Sequence, residues 1–335
     1  MQTGARILEC IPNFSEGQNE AVIDAIKHAI QSVAQQYLLH IDPSPAANRT
    51  VFTFAGEPEA VLEAAFQAIK VASEMIDMRF QHGAHPRLGS TDVCPLVPLA
   101  NITMEEAVVY SKQLAERVAG ELNIPIYLYE YSATEPHRKT LPQIRKGQYE
   151  SLRERTGLPE WQPDFGKEVM QHWEDVAKTG ATIMGARNIL VAFNISLNTK
   201  DERIAKQIAK QMRSSSNGLL PELRAIGWFM EDFDCAQVSM NLLDYHITSP
   251  QKVWETCKQL AQAFEVTPIG CEVVGLIPEI CVLEAGGWDM KSSLTTMQSN
   301  EMIEKGIQYL GLNKVKPFNA EEKILEYALR KVNLI

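Results

Sequence analysis

The sequence predicts an α+β protein built from two similar units, each with the element order βαββαβ. Short β-branched and alternating apolar runs bounded by turn residues indicate strands, and apolar residues at helical spacing between them indicate amphipathic helices. The same order occurs twice, without repetition of sequence, on either side of a polar, irregular segment at 132–185. This order is typical of ferredoxin-like, split-βαβ subdomains. We therefore expect two ferredoxin-like subdomains whose sheets face each other.

Length and composition limit the class of protein. A chain of 335 residues with 45% hydrophobic content can bury two cores of ordinary size. Its formal net charge of -10 argues against a nucleic acid or an anionic membrane surface as partner. The six cysteines show no CxxC spacing and no apolar leader precedes them, which predicts reduced thiols in a cytoplasmic protein. We expect a small-molecule partner.

The elements of the first unit follow from local signals. Apolar residues recur at helical spacing after Asn19 and again after Pro58, a residue suited to the first turn of a helix. Thr103 and Glu106 have the spacing of a capping box, which predicts the start of a third helix. The remaining β-type runs predict strands at 6–12, 38–42, 50–56, 91–98 and 124–131.

The second unit repeats this order. Strands are predicted at 188–198, 223–230, 237–247 and 268–277, and helices at 201–212 and 250–264. We place the boundary between Ala181 and Thr182. The first subdomain, 1–181, then includes nearly all of the polar, irregular segment at 132–185, which we call the connecting segment. The second subdomain, 182–335, ends in a helical tail.

One sheet face of the second unit is predicted to be polar. Alternation places amides and hydroxyls on the same side of two strands, at Asn194, Ser196, Asn198, Gln237, Ser239 and Asn241. Such groups need hydrogen-bond partners when covered, so they suit the floor of a ligand site better than a core. The alternative is the ordinary solvated face of a one-sided sheet.

The histidine loop, residues 77–92, is the strongest candidate for a site. It places His82 and His85 three residues apart between a helix and a strand, with Arg87 close by. Imidazole can take and give a proton near neutral pH, which favours His85 as general acid and base. For His82, a purely structural role is the alternative to a role in the site. Arg87 would hold a carboxylate, or else simply pair with Asp92.

A metal site in this loop is disfavoured. The two histidines could be joined by Asp77, Asp92 or Cys94, but Pro86 prevents a shared helical face, and the chain has no HExxH companion. The sequence also lacks a GxSxG elbow, a Walker loop and a GxGxxG loop, so serine nucleophiles and nucleotide binding have no support. We expect no metal.

A second candidate group surrounds a predicted hairpin. Asp42 ends one strand just before Pro43, and Asn48 and Arg49 come just before the next. Side chains at strand ends beside a proline-rich loop can converge without being core. An Asx-turn is the alternative for Asp42.

Several motifs together carry a family resemblance. They are residues 11–17 (IPNFSEG), Asp42 with 48–50 (NRT), 83–89 (GAHPRLG) with 92–95 (DVCP), 161–166 (WQPDFG), and 185–187 (GAR) leading to 192–194 (AFN). In this order they resemble the glutamate formimidoyltransferase (glutamate formiminotransferase) family, in its form without a cyclodeaminase domain. The resemblance covers the chain up to about Gly286.

The resemblance implies both a fold and a reaction. The fold is two α/β subdomains with facing sheets and an interdomain tunnel for folate. The reaction transfers the formimino group from N-formimino-L-glutamate to N5 of tetrahydrofolate and releases glutamate, in histidine degradation. Tetrahydrofolate is then a co-substrate. Release of ammonia from the product would need another protein.

The resemblance also assigns site residues. His85 matches the catalytic histidine and Asp42 the active-site aspartate. The folate-binding stretch at 166–180 supplies Gly166, Lys167, Trp173, Lys178, Thr179 and Gly180. As substrate-binding residues we add Asn13, Arg49, Arg87, Asn194, Gln237, Ser239 and Asn241.

Two alternatives and two partner questions stay open at this stage. The first alternative is a paralogue that transfers formyl from N-formylglutamate, since the donors differ at one atom. The second is a non-catalytic binder of folate, or of RNA on an open sheet face; the acidic charge and the scarcity of aromatic face residues oppose RNA. The basic residues of 137–155 (Arg138, Lys139, Arg145, Lys146, Arg153 and Arg155) could receive a polyglutamylated folate tail, and a homodimer is compatible with the sequence.

Overall fold

The computed structural model describes residues 4–289, 293 and 295–335. The chain divides into two units, one reaching to Arg187 and the other beginning at Asn188. This division comes six residues after the predicted boundary at 181/182 because 182–186 form a strand, β7, that pairs within the first sheet.

The described residues form two β-sheets. The strands are β1 (Ile7–Cys10), β2 (Asn13–Phe14), β3 (Gln36–Ser44), β4 (Arg49–Gly56), β5 (Thr91–Ala100), β6 (Ile126–Leu128), β7 (Thr182–Ala186), β8 (Val191–Leu197), β9 (Leu223–Met230), β10 (Cys235–Leu242) and β11 (Pro268–Val274). The first sheet holds seven strands and the second holds four. The protein is therefore a mixed α/β protein with two sheets, as the sequence predicts in outline.

Helices lie between these strands and in the connecting and terminal segments. They are α1 (Glu20–Gln31), α2 (Pro58–Met75), α3 (Met104–Leu122), α4 (Leu141–Ile144), α5 (Leu152–Arg155), α6 (Trp173–Val176), α7 (Glu202–Met212), α8 (Pro250–Gln262), α9 (Glu279–Ala285), α10 (Thr296–Leu310), α11 (Ala320–Lys323) and α12 (Leu325–Lys331). The capping box of α3 is confirmed: Thr103 Oγ1 accepts from Glu106 N at 3.2 Å and the Glu106 carboxylate accepts from Thr103 N at 2.8 Å. None of the described helices has the length and hydrophobicity to cross a membrane.

The first sheet has the strand order β1-β4-β2-β5-β7-β6, with β3 paired to the outer side of β4. Pairs among β1 to β5 are antiparallel, whereas β7 runs parallel to β5 and β6. Leu8, Phe52 and Phe54 are fully buried in one core with residues of α1, α2 and α3. Side chains alternate along a strand, so the residues next to these buried ones, such as Asn13 and Val51, point to the opposite face of the sheet.

The second sheet has the order β11-β8-β10-β9, and every pair is antiparallel. Phe193, Ile195 and Val238 are fully buried in a core shared with α7 and α8. At Gly227 of β9 a Cβ atom would lie 2.1 Å from the backbone nitrogen of Lys206, so α7 can lie directly on the strand only where this residue is glycine. The observed order β8-α7-β9-β10-α8-β11 is the predicted one.

Several predicted bounds were wrong for local reasons. The strand predicted at 124–131 is limited to Ile126–Leu128, because Glu130 has φ 50° and begins a turn. The strand predicted at 237–247 is Cys235–Leu242, because Asp244 accepts a hydrogen bond from His246 N and turns the chain. Short strands at β2 and β7 were not predicted.

Candidate active site

The histidine loop is fixed to the hairpin loop between β3 and β4. Asn48, with φ 45°, donates from Nδ2 to the His82 carbonyl at 2.7 Å, and its carbonyl accepts from Gln81 Nε2 at 3.0 Å. Ala84 N donates to the Ala46 carbonyl at 3.2 Å. A Cβ on Gly83 would lie 2.3 Å from the Ala47 carbonyl oxygen, so this close approach needs glycine. The two loops predicted to carry the site are therefore held together.

His85 contacts Arg49 across these loops. Arg49 Nη1 lies 2.5 Å from His85 Nε2, which makes a short hydrogen bond. Burial, followed by the positive charges of Arg49 and Arg145, holds the pKa of His85 well below its ordinary value. The imidazole is therefore neutral over most of the physiological pH range, as a general base requires.

Asp42 lies on the same face of the hairpin as Arg49. The register pairs Asp42 with Val51 and Ser44 with Arg49, and alternate residues of a strand share a face. Asn13 pairs with Val51 from the other side, so it shares that face too. The Asp42 side chain is buried and its Oδ2 lies 3.7 Å from His40 Nε2. One face of the hairpin thus bears a carboxylate, a guanidinium and an imidazole, and the guanidinium contacts the imidazole of His85 in the histidine loop.

Arg87 is held inside the first unit. Its guanidinium donates to both oxygens of Glu150, at 2.6 and 2.9 Å, and also to the side chain and carbonyl of Gln81. The predicted alternative, pairing with Asp92, was wrong. Asp92 pairs instead with Arg145 and accepts from Leu88 N at 2.9 Å. Arg87 therefore ties the histidine loop to the connecting segment.

Three of the predicted folate-binding residues contact the ends of the histidine loop. The Lys178 carbonyl accepts from Met78 N at 2.8 Å, and the Thr179 carbonyl accepts from Ser90 N at 2.7 Å. Gly180, with φ 66°, bridges to Gly89, where a Cβ would lie 2.5 Å from a backbone oxygen.

The other three predicted folate-binding residues have different surroundings. Gly166 has φ 76° and lies beside Pro125, Lys167 is exposed, and the Trp173 ring is 5.7 Å from the Tyr149 ring. The described contacts therefore do not gather all six residues in one place.

The polar face of the second sheet is present. Register places Gln237 opposite Ser196, Ser239 opposite Asn194 and Asn241 opposite Ala192, so the predicted residues share one face. Asn194 Nδ2 donates to Glu272 at 3.0 Å. Gln237 is fully buried between Trp228 Nε1, which donates to it at 3.1 Å, and Ser196 Oγ, which accepts from it at 3.0 Å. These bonds commit Gln237 to organising this face.

The basic residues of 137–155 are partly structural. Arg138 pairs with Asp164 and Arg145 with Asp92, both as buried ion pairs. Arg155 donates to the Ile144 carbonyl at 2.7 Å and lies over the Trp161 ring at 4.0 Å. Arg145 is therefore not available to an exposed anion. The exposed cations of this segment are Lys139, Lys146 and Arg153.

Sequence reasoning missed one residue of this region, His40, and the partners of two others. His40 could have been found, because it precedes Asp42 by two positions on the same strand and so shares its face. Arg145 and Glu150 gave no local signal of their partners. Each lies more than fifty positions from the residue that it binds.

Across the part of the chain that the structure describes, no cluster of three or more histidine, cysteine or acidic side chains is arranged to hold a metal ion. The His82 side chain is exposed, and the backbone carbonyl of this residue accepts the hydrogen bond from Asn48 Nδ2.

The comparisons with known proteins agree with the motifs. The family model for the N-terminal subdomain of the formiminotransferase domain matches residues 7–187, and that for the formiminotransferase domain matches 192–330. The chain belongs to the formiminotransferase family, as its resemblance predicted.

Relatives share this similarity over nearly the whole chain. The glutamate formimidoyltransferase of Streptococcus pyogenes is 46% identical over 280 residues, which cover 84% of this chain and 92% of that protein. That of Thermoplasma acidophilum is 40% identical, over 90% of this chain and 97% of that protein. The formimidoyltransferase-cyclodeaminase of Rattus norvegicus is 42% identical over 96% of this chain but only 60% of that protein. The chain thus spans about three fifths of the length of that longer relative.

Proposed function

We propose that this protein transfers the formimino group of N-formimino-L-glutamate to N5 of tetrahydrofolate and releases L-glutamate, a reaction of histidine degradation. The observation that carries the proposal is the neutral imidazole of His85 in contact with Arg49. Arg49 lies on the β3–β4 hairpin, and Asp42 lies on the same face of that hairpin. Family membership and the names of the two shorter relatives support it.

The reaction needs a group that moves a proton twice. N5 of the folate forms a bond to the amidine carbon and must lose its proton, while the bond from that carbon to the glutamate nitrogen breaks and this nitrogen must gain one. His85 takes the proton from N5 as a base and returns it to the leaving nitrogen as an acid. Atoms and charge balance without an additional reactant.

The charged neighbours of His85 have separate roles in this proposal. The Asp42 carboxylate stabilises positive charge on the amidine as the tetrahedral intermediate forms. Arg49 binds a substrate carboxylate through its guanidinium. Arg87, already paired with Glu150, anchors the histidine loop and supports binding indirectly. Asn13 shares the face of Asp42 and supplies an amide there.

The folate contacts are proposed from two places. Lys178, Thr179 and Gly180 lie beside the ends of the histidine loop, and Asn194, Ser239 and Asn241 offer amide and hydroxyl groups that suit the donors and acceptors of a pterin. Roles for Gly166, Lys167 and Trp173 stay predictions.

The finer features of the fold are also proposals. The strand order β11-β8-β10-β9 and the element order βαββαβ support a ferredoxin-like topology for the second unit. Facing sheets, a ligand tunnel, a homodimer, a polyglutamylated tail and a cytoplasmic location stay predictions.

A comparison of donors tests the proposed function. With tetrahydrofolate as acceptor, we expect kcat/KM for N-formimino-L-glutamate to exceed that for N-formyl-L-glutamate at least ~10-fold, because Asp42 favours a cationic amidine over a neutral amide. The absorbance of the folate product measures both rates. A preference for the formyl donor would support the formyl-transfer alternative, and no turnover with either donor would support a non-catalytic binder.

Removal of metals gives a second test. Dialysis against a strong chelator should leave the turnover unchanged, because the proposed steps use a base and electrostatic stabilisation and no Lewis acid. Turnover is compared before and after dialysis, with added zinc as the control. Loss of activity that a divalent ion restores would contradict the mechanism.

A further inference from the structure

The hydrogen bond between Arg49 and His85 occupies the atom that catalysis needs. A guanidinium has donors and no acceptor and stays protonated, so Arg49 Nη1 must donate and His85 Nε2 must accept across their 2.5 Å separation. The lone pair of Nε2, which would take a proton from the folate, is therefore already engaged. In the neutral ring the proton then resides on Nδ1.

Two further arginines near this histidine form ion pairs with acids. Arg145 acts on His85 through its charge but pairs with Asp92. Arg87, on the same loop, pairs with Glu150. Asp42 and His40 share the face of Arg49 on the hairpin. Arg49 contacts the imidazole directly, through Nη1.

We propose that Arg49 caps His85 in the free protein, and that the α-carboxylate of the glutamate substrate draws Arg49 away and releases Nε2 for catalysis. This inference rests on the proposed function. A carboxylate offers a guanidinium two charged acceptors, and such paired, charge-assisted bonds are stronger than a bond to a neutral ring nitrogen.

The chemistry of the substrate selects the α-carboxylate. In N-formimino-L-glutamate, the α-carboxylate and the nitrogen that bears the formimino group are attached to the same carbon, whereas the γ-carboxylate is two methylene groups away. A carboxylate bound where Arg49 meets the imidazole therefore places the reacting carbon next to Nε2. The same contact that binds the donor also releases the base.

The proposal predicts a change in the proton affinity of His85. In the free protein, burial and the two arginine charges lower its pKa. When a carboxylate neutralises Arg49 and removes its hydrogen bond, the pKa must rise towards the ordinary value of an imidazole. A merely structural contact between Arg49 and His85 would leave the pKa unaltered by ligand.

Nuclear magnetic resonance of the full chain with isotope-labelled histidine measures this change. The His85 signal is identified by its loss in His85→Gln. Saturating L-glutamate, the reaction product, should raise the titration midpoint of His85 by about one pH unit or more. L-Glutamine, with an amide at the γ position, should also raise it. L-Isoglutamine, with an amide at the α position, should not.

Arg49→Gln provides the matched control. It should raise the midpoint of His85 in the free protein, and L-glutamate should then add no further rise. The wild-type ligand series decides the proposal even if this variant fails to fold. Formimino transfer is assayed on the same preparation. An active protein whose His85 midpoint does not respond to L-glutamate, or responds equally to L-isoglutamine, overturns the capping proposal, whereas an inactive protein overturns the proposed function itself.

Discussion

His85→Ala is expected to lower kcat at least ~100-fold, because it removes the group that carries the proton from N5 to the leaving nitrogen. The dissociation constant for tetrahydrofolate should change little, since the imidazole contributes proton transfer more than binding surface. Steady-state kinetics and a fluorescence titration of folate binding measure the two quantities separately.

His82→Ala is the matched control on the same loop. The His82 side chain is exposed, and the Asn48 amide binds the backbone carbonyl, which the substitution keeps. We expect turnover close to that of the wild type. Equal activity of His85→Ala and the wild type would reject His85 as the catalytic base, and a loss in His82→Ala as large as in His85→Ala would indicate that the loop itself had been disturbed.

Asp92→Ala is expected to lower the free energy of unfolding by about 3–5 kcal/mol, because it leaves the largely buried guanidinium of Arg145 without its partner. Asp92 is 1% exposed, pairs with Arg145 and also accepts from Leu88 N. The substitution thus removes an ion pair and a backbone hydrogen bond at the end of the histidine loop. Urea denaturation measures the loss.

Glu301→Ala is the control for this experiment. It removes an acid from an exposed ion pair with Lys305 one helical turn away, and such pairs contribute little because water screens them. Its urea midpoint should match that of the wild type. If Asp92→Ala were as stable as Glu301→Ala, the Asp92–Arg145 pair would not be what holds the histidine loop to the connecting segment.

The sequence was sufficient for most secondary structure because its signals are local. The Asn19 side chain caps α1, the capping box begins α3, and Pro58 stands in the first turn of α2, each where the pattern of neighbouring residues predicted it. The strand β7 escaped prediction, since its place beside β5 and β6 depends on pairing across many positions of the chain.

For the candidate site too, local sequence signals predicted some features and not others. His85 and Asp42 were predicted from a loop, a strand end and a family resemblance, all of which are visible within a few residues. The different surroundings of Arg49 and Arg87 were not predicted. Either arginine could have bound a substrate carboxylate, and only the fold shows Arg87 paired with Glu150 and Arg49 in contact with His85.

Most helices and strands of both units and the family could be predicted from the sequence, because periodicity and motif spacing act between near neighbours. Only the folded chain shows that Arg87 is a structural anchor, that Arg49 contacts the imidazole, and that Arg145 pairs with Asp92 across 53 positions. The physical reason is that the energy of a charge depends on the partners and burial that surround it, and folding brings those from distant parts of the chain.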